Sequence, residues 1–424
     1  MAAVCAAGTL SASAGLAASA SAKGQSHKAS VTLQFWSSYN TADKEESTFQ
    51  NVIIKRYEKL NPGVKIVATS INDDVLLQKY LAAAAAGNPP DVMRADIADV
   101  PQLANQGLIE KVNKLADFAQ IKRNTLKGPM DTTYVASGKS PGYYALPDDT
   151  NTQALFWNKT DFAAAGISGP PTTLGQLYAD AAKLTVPSKQ QYGLGVDGTD
   201  IWNVAPYIWS AGGSLTNNRY TTASGYLNGS QTVSAVTSLV NSLKAGDIGS
   251  DFKGGASAVS GEEGFPKGEY AMYIDGPWAV PTYEAMNPKP DYGIALFPKG
   301  PGGSVSTVGG EDLVISRQTH NLTEAEKFAQ WLDTSFPQQQ MAAQGDMSTE
   351  ISDAAGEVRR TPYLKIFAEQ LRTARVRPVS AGYAAMDAVV KNDLSEILAG
   401  QTSVQAGLNS AASASDQALQ GNGS

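Results

Sequence analysis

The chain has 424 residues, with 33 basic and 40 acidic side chains and a net charge of −7 when both histidines are neutral. A hydrophobic content of 42% beside a charged content of 17% excludes an intrinsically disordered chain, and the length suggests about two or three domains. The acidic balance lacks the basic surface typical of nucleic-acid-binding proteins. Two histidines and one cysteine argue against histidine-based catalysis and a Cys/His metal cluster, and they exclude a disulfide within the chain.

Both ends of the chain differ in composition from the rest. Residues 2–22 are mainly Ala, Ser and Gly without a charge, and Ala20-Ser21-Ala22 fits the small-residue pattern of a secretory cleavage site. We therefore expect residues 1–30 to be an export signal or flexible tether, with Cys5 as an alternative lipidation site. No apolar run reaches the roughly 18 residues that a membrane span needs. Residues 411–424, rich in Ser, Ala, Gly and Asn, are expected to form a flexible tail.

The first part of the folded chain alternates between strand and helix patterns. Apolar residues at every second position predict strands, and apolar residues at helical spacing predict helices. The predicted elements are a strand over 31–36, a helix over 49–60 ended by Asn61-Pro62-Gly63, a strand over 64–68, a helix over 75–86 and a short strand over 91–93. This order predicts parallel strand pairing within an α/β layer.

The same alternation returns later and predicts a second lobe. Thr173-x-x-Gln176 is typical of a helix start, and Gly246 and Gly400 are typical of helix ends. The predicted elements are helices over 174–184, 233–243 and 390–398, a helix opened by Thr323 that carries Phe328, Trp331 and Leu332, and strands of a second sheet over 270–274 and 292–296. The predicted fold class is therefore α/β with two lobes.

Motifs of catalysis and cofactor binding are weak. Residues 193–198 spell G-x-G-x-x-G, but no helix is expected to open after them, as a dinucleotide site requires. His320 stands in a polar turn and is expected to be a solvated loop residue. The adjacent pairs Asp148-Asp149, Glu262-Glu263 and Glu311-Asp312 leave a glycoside hydrolase as an alternative, with the two carboxylates coming from different pairs.

Aromatic residues mark a different kind of site. They stand at strand ends and in Gly/Pro-rich turns beside short polar residues, and they are Trp36, Trp202, Trp209, Trp278 and Tyr383. Any one of them alone is also compatible with a core position, and for Trp209 the two interpretations are balanced. Flat rings beside short acceptors match the C–H faces and hydroxyl rims of sugars, so the pattern favours a carbohydrate-binding site.

Ordered segments along the chain carry a family resemblance. They are LQFW at 33–36, YEKLNPGV at 57–64, GNPPDV at 87–92, QGLIE at 106–110, YALP at 144–147 with ALFWNK at 154–159, GEYAMYIDGPW at 268–278 and FP at 297–298. In this order they resemble the extracellular solute-binding proteins of ATP-driven sugar importers, the group that includes the maltose-binding proteins. The resemblance covers roughly residues 31–400.

The resemblance implies the two-lobed periplasmic-binding-protein fold, with a sugar in the cleft between the lobes and no cofactor. It implies an N-terminal lobe of residues 31–150 and 311–360, and a C-terminal lobe of residues 151–310 and 361–410. The chain would cross near Thr150-Asn151 and Gly309-Gly310 and return near Thr361. It further implies an exported monomer, extracellular or attached to the cell envelope, that closes on a carbohydrate, with an oligosaccharide expected, and delivers it to an ABC permease.

The resemblance also assigns ligand-binding positions. In this sequence they are Trp36, Asn40, Asp96 and Asn151 as contacts of the first lobe and the first crossing, Trp202, Trp278 and Tyr383 as stacking rings, Asp200 and Glu311 as hydroxyl acceptors, and Gly310 at the second crossing. The family's glutamate near the first crossing is replaced by Asn151, so the sugar preference stays open. No catalytic or metal-binding residue is assigned.

Other solutes stay open as alternatives, namely a peptide, glycerol phosphate or iron. An anionic solute would need convergent Arg or Lys side chains in the cleft. The candidates are Arg94 and the group Arg372, Arg375 and Arg377, of which the last three are expected at a helix end and on the surface. Iron would favour clusters of Tyr and His, and the chain has only two histidines.

Overall fold

A computed structural model describes residues 31–41, 44–136, 140–249, 260–287 and 291–421. The expected export signal or tether over residues 1–30 lies outside the described residues, and so do the last three residues of the expected tail. Within the described ranges, no helix is both long enough and apolar enough to span a bilayer.

The strands are short and numerous. They are β1 Val31–Ser37, β2 Val64–Ser70, β3 Val92–Asp96, β4 Tyr134–Val135, β5 Gly142–Tyr143, β6 Leu146–Pro147, β7 Asp149–Thr152, β8 Ala154–Asn158, β9 Leu194–Gly195, β10 Ile248–Gly249, β11 Met272–Asp275, β12 Tyr292–Ala295, β13 Thr307–Gly309, β14 Glu311–Ile315, β15 Met347–Ser348 and β16 Arg375–Val376.

The helices surround these strands. They are α1 Glu45–Thr48, α2 Lys55–Leu60, α3 Asp73–Ala85, α4 Val100–Asn105, α5 Phe118–Asn124, α6 Lys127–Thr132, α7 Lys159–Ala164, α8 Leu174–Leu184, α9 Ile201–Ser210, α10 Ser230–Ala245, α11 Gly261–Lys267, α12 Ala279–Met286, α13 Leu322–Leu332, α14 Ser335–Ala342, α15 Ile351–Arg360, α16 Leu364–Gln370, α17 Tyr383–Leu398 and α18 Val404–Gly421. A π-helical segment, Phe49–Ile54, joins α1 to α2. The helix predicted over 49–60 therefore consists of this segment and α2, and it ends at residue 60 as predicted.

The first lobe is built on the sheet β2-β1-β3-β14-β6. β1 pairs in parallel with both β2 and β3, which confirms the parallel pairing predicted from the alternating elements. β14 comes from much later in the chain and lies antiparallel to β3. Leu33 and Phe35 of β1 are fully buried against α13, where the ring of Phe35 meets Phe328 at 5.7 Å between centroids.

The second lobe contains the sheet β11-β8-β12, in which β8 pairs antiparallel with both neighbours. The two strands predicted near residues 270 and 292 therefore do share a sheet. Leu155 and Met272 are fully buried in a core that also takes in side chains of α8, α9 and α10. A separate helical core joins α9, α10, α17 and α18.

A third sheet, β15-β7-β13-β16, lies where the chain passes between the two lobes. β7 follows β6 of the first sheet and precedes β8 of the second, and β13 precedes β14. β7 and β13 pair antiparallel, so the two connecting segments run side by side. Gly310 ends this connection with φ of +132°, and a Cβ there would lie 2.4 Å from the carbonyl oxygen of Asp149. This packing requires glycine.

A helix does begin after the glycine-rich segment 193–198, contrary to the prediction that none would open there. Asp200 caps α9, because its Oδ1 accepts a hydrogen bond from the backbone N–H of Asn203 at 3.1 Å. Asp is a favoured N-cap residue, and this was the signal that the prediction missed. The capping carboxylate occupies the position that a pyrophosphate would need, so the segment gains no support as a dinucleotide site.

Residues 411–421 are not a flexible tail but the second half of α18, which packs against α17. Leu408, Ala411, Ala412 and Ser415 are fully buried in that contact. The small Ala and Ser side chains suggested flexibility in the sequence. In the structure they bring α18 close to the helical core, because small side chains let neighbouring backbones approach.

Candidate functional site

A large cleft lies between the two sheets and has a volume of about 770 Å³. Its first wall consists of the loop after β1, the start of α3 and the end of β3, which all follow the carboxyl ends of parallel strands. Its second wall consists of the starts of α9, α12 and α17, and the strands β7 and β13 form its floor. Ligands of open α/β sheets bind at such carboxyl ends, so the cleft is the candidate ligand site.

The structure brings together nearly all of the residues that the sequence assigned to a site. Those that line the cleft are Asn40, Asp96, Asn151, Asp200, Trp202, Trp278, Gly310, Glu311 and Tyr383. Trp36 does not line it. Side chains alternate along β1, so Trp36 lies on the opposite face from Phe35, and it packs against a buried apolar cluster that includes Leu76 and Tyr80 of α3.

Two indole rings form the apolar part of the cleft. The ring centroids of Trp202 and Trp278 are 6.2 Å apart with an angle of 34° between the planes. The indole N–H of Trp278 donates to Oε1 of Glu262 at 3.2 Å. Gly309 makes room for the other ring, because a Cβ there would lie 2.7 Å from the indole of Trp202. The pair offers neighbouring flat faces within a polar cleft. Trp209, by contrast, is a core residue with only 4% of its surface exposed.

Arg377 lies in the cleft and not on the surface, which corrects the expectation for this residue. Its Nη2 lies 2.7 and 2.8 Å from the two oxygens of Asp96, and its guanidinium lies over the rings of Trp202 and Tyr383. Burial lowers its pKa, but the carboxylate of Asp96 outweighs burial and raises it above the ordinary value. Arg377 thus connects the end of β3 to the aromatic residues of the second wall.

A buried cation with several carboxylates lies beside the cleft floor. Arg94 on β3 is 3% exposed, and its guanidinium nitrogens lie 2.8 to 3.4 Å from carboxylate oxygens. We call this set the Arg94 cluster, and its carboxylates are Asp148, Asp149, Glu311 and Asp346. They come from the segment before β7, from β7, from β14 and from the segment before β15, so the cluster joins segments that are far apart in the chain.

The Arg94 cluster holds more acidic groups than one cation can neutralise. Burial raises the pKa of Asp149 to about 7, against the lowering effect of Arg94. Burial also raises the pKa values of Glu311 and Asp346 well above the ordinary range. Part of the cluster is therefore protonated near neutral pH. The ring of Tyr39 packs 4.5 Å from the guanidinium carbon and closes one side of the cluster.

Sequence reasoning missed several residues that the cleft contains. Asp73, Asp99 and Asp387 line it, as do Tyr39 and Arg377. The first two follow directly after the segments of β2 and β3, and polar residues at the carboxyl ends of parallel strands were a usable signal. Arg377 carried no such signal, because its partner Asp96 is 281 positions away in the chain.

A two-lobed α/β fold with a deep polar cleft between the lobes is the architecture of solute-binding proteins. A model of the family described as bacterial extracellular solute-binding protein matches residues 42–340. The chain belongs to this family, and it is therefore an exported protein. The multiple sugar-binding protein of Streptococcus mutans is 28% identical to it over 327 residues, which is 73% of each chain.

Solved structures confirm the two-lobed periplasmic-binding-protein fold. The GacH receptor of Streptomyces glaucescens, known unliganded and in complex with acarbose, matches with a TM-score of 0.82 and 24% identity over 93% of this chain and 99% of its own. A solute-binding protein of an ABC transporter from Thermotoga lettingae, bound with α-D-tagatose, matches with a TM-score of 0.80 and 24% identity over 92% and 100%. Maltose-bound MalE3 of T. maritima matches with a TM-score of 0.79 and 20% identity over 91% and 98%.

Proposed function

We propose that this protein is the substrate-binding component of an ABC importer. It captures a carbohydrate, specifically an oligosaccharide, and delivers it to a membrane permease. The observation that carries the proposal is the pair of indole rings, Trp202 and Trp278, 6.2 Å apart in a cleft rich in oxygen acceptors. The names of the similar proteins, which include sugar receptors from several bacteria, support the same ligand class.

The chemistry of the cleft suits a hydroxyl-rich ligand. Aromatic faces pack against the C–H faces of sugar rings, and carboxylate and amide oxygens accept hydrogen bonds from the hydroxyl groups. Asn151, Asp200 and Glu311 supply such oxygens around the two indoles. An anionic solute is disfavoured, because Arg94 and Arg377 already pair with carboxylates.

Capture depends on closure of the lobes around the ligand. We propose lobes of residues 31–150 with 311–360 and of residues 151–310 with 361–410, hinged at β7 and β13. Asn40 of the first wall donates to Oγ1 of Thr282 on α12 at 3.4 Å, so direct polar contacts between the walls exist. A ligand that touches both walls binds the closed form better, and about 5.5 kcal/mol of differential affinity moves the equilibrium from 1:99 to 99:1.

We further propose that the protein acts as an exported monomer without a cofactor or a nucleic-acid partner. The Ala/Ser-rich residues 2–22 support an export signal, and Cys5 is the candidate for a lipid anchor to the outer face of the membrane. Among the described residues, no group of three or more His, Cys, Asp and Glu side chains is placed to hold a metal ion.

The carboxylate pairs are better explained without hydrolysis. Asp149 and Glu311 both contact Arg94, and Glu263 forms an ion pair with Lys267 at 2.8 Å on the surface. Asp312 is fully buried, on the opposite side of β14 from its neighbour. We therefore propose that the protein binds its ligand and releases it chemically unchanged.

The test is a thermal-shift screen of the purified protein against mono- and oligosaccharides, peptides and glycerol phosphate. A ligand at 100 times its dissociation constant should stabilise the fold by about 2.7 kcal/mol, and we expect the largest shift from an oligosaccharide. The best sugar should be recovered intact by chromatography after prolonged incubation. A larger shift from a peptide or a phosphate would contradict the proposed ligand class. Shorter sugars whose release is abolished by Glu311→Gln would contradict binding without chemistry.

A further inference from the structure

A buried glutamine lies where the chain first passes between the lobes. Gln153 stands between β7 and β8, is 2% exposed and does not itself line the cleft. Its backbone carbonyl accepts a hydrogen bond from Oγ of Ser306 at 2.9 Å. The neighbouring Thr152 donates from its Oγ1 to the carbonyl of Thr307 at 2.7 Å. The backbone at Gln153 is therefore fixed against the second connecting segment.

The side chain of Gln153 makes two hydrogen bonds to one residue of the cleft. Its amide oxygen accepts from the indole N–H of Trp202 at 2.9 Å, and its amide nitrogen donates to the backbone carbonyl of the same residue at 3.2 Å. The amide satisfies both groups in one orientation only, because a half-turn would place its oxygen beside the carbonyl oxygen and its nitrogen beside the indole N–H. Both ends of this buried amide are thus used on a single cleft residue.

A proline in α9 explains why the carbonyl of Trp202 needs a partner from outside the helix. In an α-helix this carbonyl would accept from the backbone N–H four residues later. That residue is Pro206, inside α9, and proline has no backbone N–H. A backbone carbonyl inside a protein is costly without a donor, and Gln153 supplies the one that the helix lacks.

The indole of Trp202 is also enclosed on other sides. The guanidinium carbon of Arg377 lies 5.3 Å from the ring centroid, and a Cβ at Gly309 would lie 2.7 Å from the indole. With Gln153 on its N–H edge, the ring is ordered by protein contacts alone. A side chain that is already ordered loses little rotamer freedom when a ligand binds, and this favours affinity.

Resting on the proposed function, we propose that Gln153 is a positioning residue of the ligand site, which fixes the indole of Trp202 for the sugar and ties this ring to the first connection between the lobes. Gln153 acts only through Trp202. Without the amide, the ring can adopt other rotamers, and sugar binding then has to restrict it. Because its N–H is already used, Trp202 offers the sugar a stacking face and no hydrogen-bond donor.

The experiment begins with calorimetric titration of the whole protein. The probe is the oligosaccharide with the largest thermal shift in the screen, which includes maltotriose, mannotriose and cellotriose. Gln153→Met keeps a similar length but removes the amide, and it should weaken binding about tenfold. Gln370→Met is the matched control, since Gln370 is fully buried, bonds the backbone of Phe297 and Ser304 and does not line the cleft. The control should lower stability and leave the affinity unchanged.

Two further variants show whether the effect passes through the indole N–H. Phenylalanine has no N–H, so in a Trp202→Phe background Gln153→Met should change the affinity by less than about twofold. Gln153→Glu keeps the chain length and an acceptor for the indole. Burial favours the protonated carboxyl group, whose O–H can donate to the Trp202 carbonyl, so the affinity should stay within about threefold of the wild type.

A ligand-free measurement tests the same hydrogen bond by NMR. The chain has six tryptophans, and the indole N–H signal of Trp202 is identified by its loss in Trp202→Phe. In the wild-type protein this N–H should be protected from exchange with water. The protection should be lost in Gln153→Met and kept in Gln370→Met. The wild-type result does not depend on whether any Gln153 variant folds.

The outcomes separate this inference from the proposed function. Rapid exchange of the Trp202 indole N–H in the wild type would overturn the role of Gln153, and so would an unchanged affinity of Gln153→Met. A tenfold loss that persists in the Trp202→Phe background would also overturn it, because Gln153 would then act through the fold. In each of these cases the carbohydrate function stands. If the wild type binds no sugar, the carbohydrate function fails and the role of Gln153 fails with it.

Discussion

Replacing Arg94 by Gln should lower the free energy of unfolding by about 3–5 kcal/mol at pH 7, since removing one partner of a buried ion pair leaves uncompensated buried charge. Arg94 is 3% exposed and is in contact with the four carboxylates of its cluster. Arg317→Gln is the matched control, because its side chain is 57% exposed and contacts Glu110 at 3.6 Å. The control should change stability by no more than about 0.5 kcal/mol in urea unfolding.

The loss should also depend on pH with a definite sign. Burial raises the pKa of Asp149 to about 7 and also raises the pKa of Glu311. In the unfolded chain, carboxyl groups have pKa values of about 4. Between these values the folded state binds more protons, so the contribution of the cluster to stability falls as pH rises, by about 1.4 kcal/mol per pH unit for each proton. Without Arg94 this fall is steeper. The deficit of Arg94→Gln should therefore be larger at pH 7 than at pH 5, and equal deficits at both would contradict the account.

Trp278→Ala should weaken binding of the cognate sugar by about 2 kcal/mol, or roughly 30-fold, as truncation of a buried aromatic anchor does. The indole lines the cleft, keeps part of its surface exposed and lies 6.2 Å from Trp202. Stability of the ligand-free protein should change little, because the side chain is only partly packed against the second lobe. Calorimetric titration and urea unfolding of the same variant measure the two effects separately.

The control for Trp278 is Trp331→Ala. Trp331 lies on α13 in the first lobe, outside the cleft lining, and its ring packs 5.1 Å from Tyr57. It is half-buried, so we expect a stability loss of about 1–3 kcal/mol, below the range for a fully buried Trp, with the sugar affinity unchanged. If Trp278→Ala instead unfolds the ligand-free protein while residual binding stays tight, Trp278 is a core residue and the site is misplaced.

Local patterns in the sequence predicted much of the fold. The alternation of Leu33 and Phe35 in β1, the capping residue Thr173 of α8 and the glycine at position 400 after α17 each act through neighbours in the chain, and the structure has the predicted elements there. Composition was a poorer guide at the C-terminal end. Ala and Ser residues that suggested a flexible tail are buried in α18. Their burial depends on the packing of α18 against α17, which the local sequence does not reveal.

The candidate site was predictable where a residue follows a strand or stands in a turn, as Asn40, Asp96 and Trp278 do. A site residue was not predictable where the orientation of its side chain on a strand decides whether it reaches the cleft, as at Trp36, whose ring packs on the buried cluster beside α3 and does not line the cleft. Nor was a site residue predictable where an ion pair between residues far apart in the chain decides whether a charged side chain is buried. Arg377 is buried because Asp96, 281 positions earlier, compensates its charge.

The central claim is that the two lobes close on a carbohydrate, and small-angle X-ray scattering with and without the best sugar of the screen tests it most directly. Because the ligand contacts both walls of the cleft, its binding should stabilise the closed form and reduce the radius of gyration. The fluorescence of Trp202 and Trp278 should change over the same concentration range, since both indoles line the cleft. Tight binding of the sugar with an unchanged scattering profile would contradict the account.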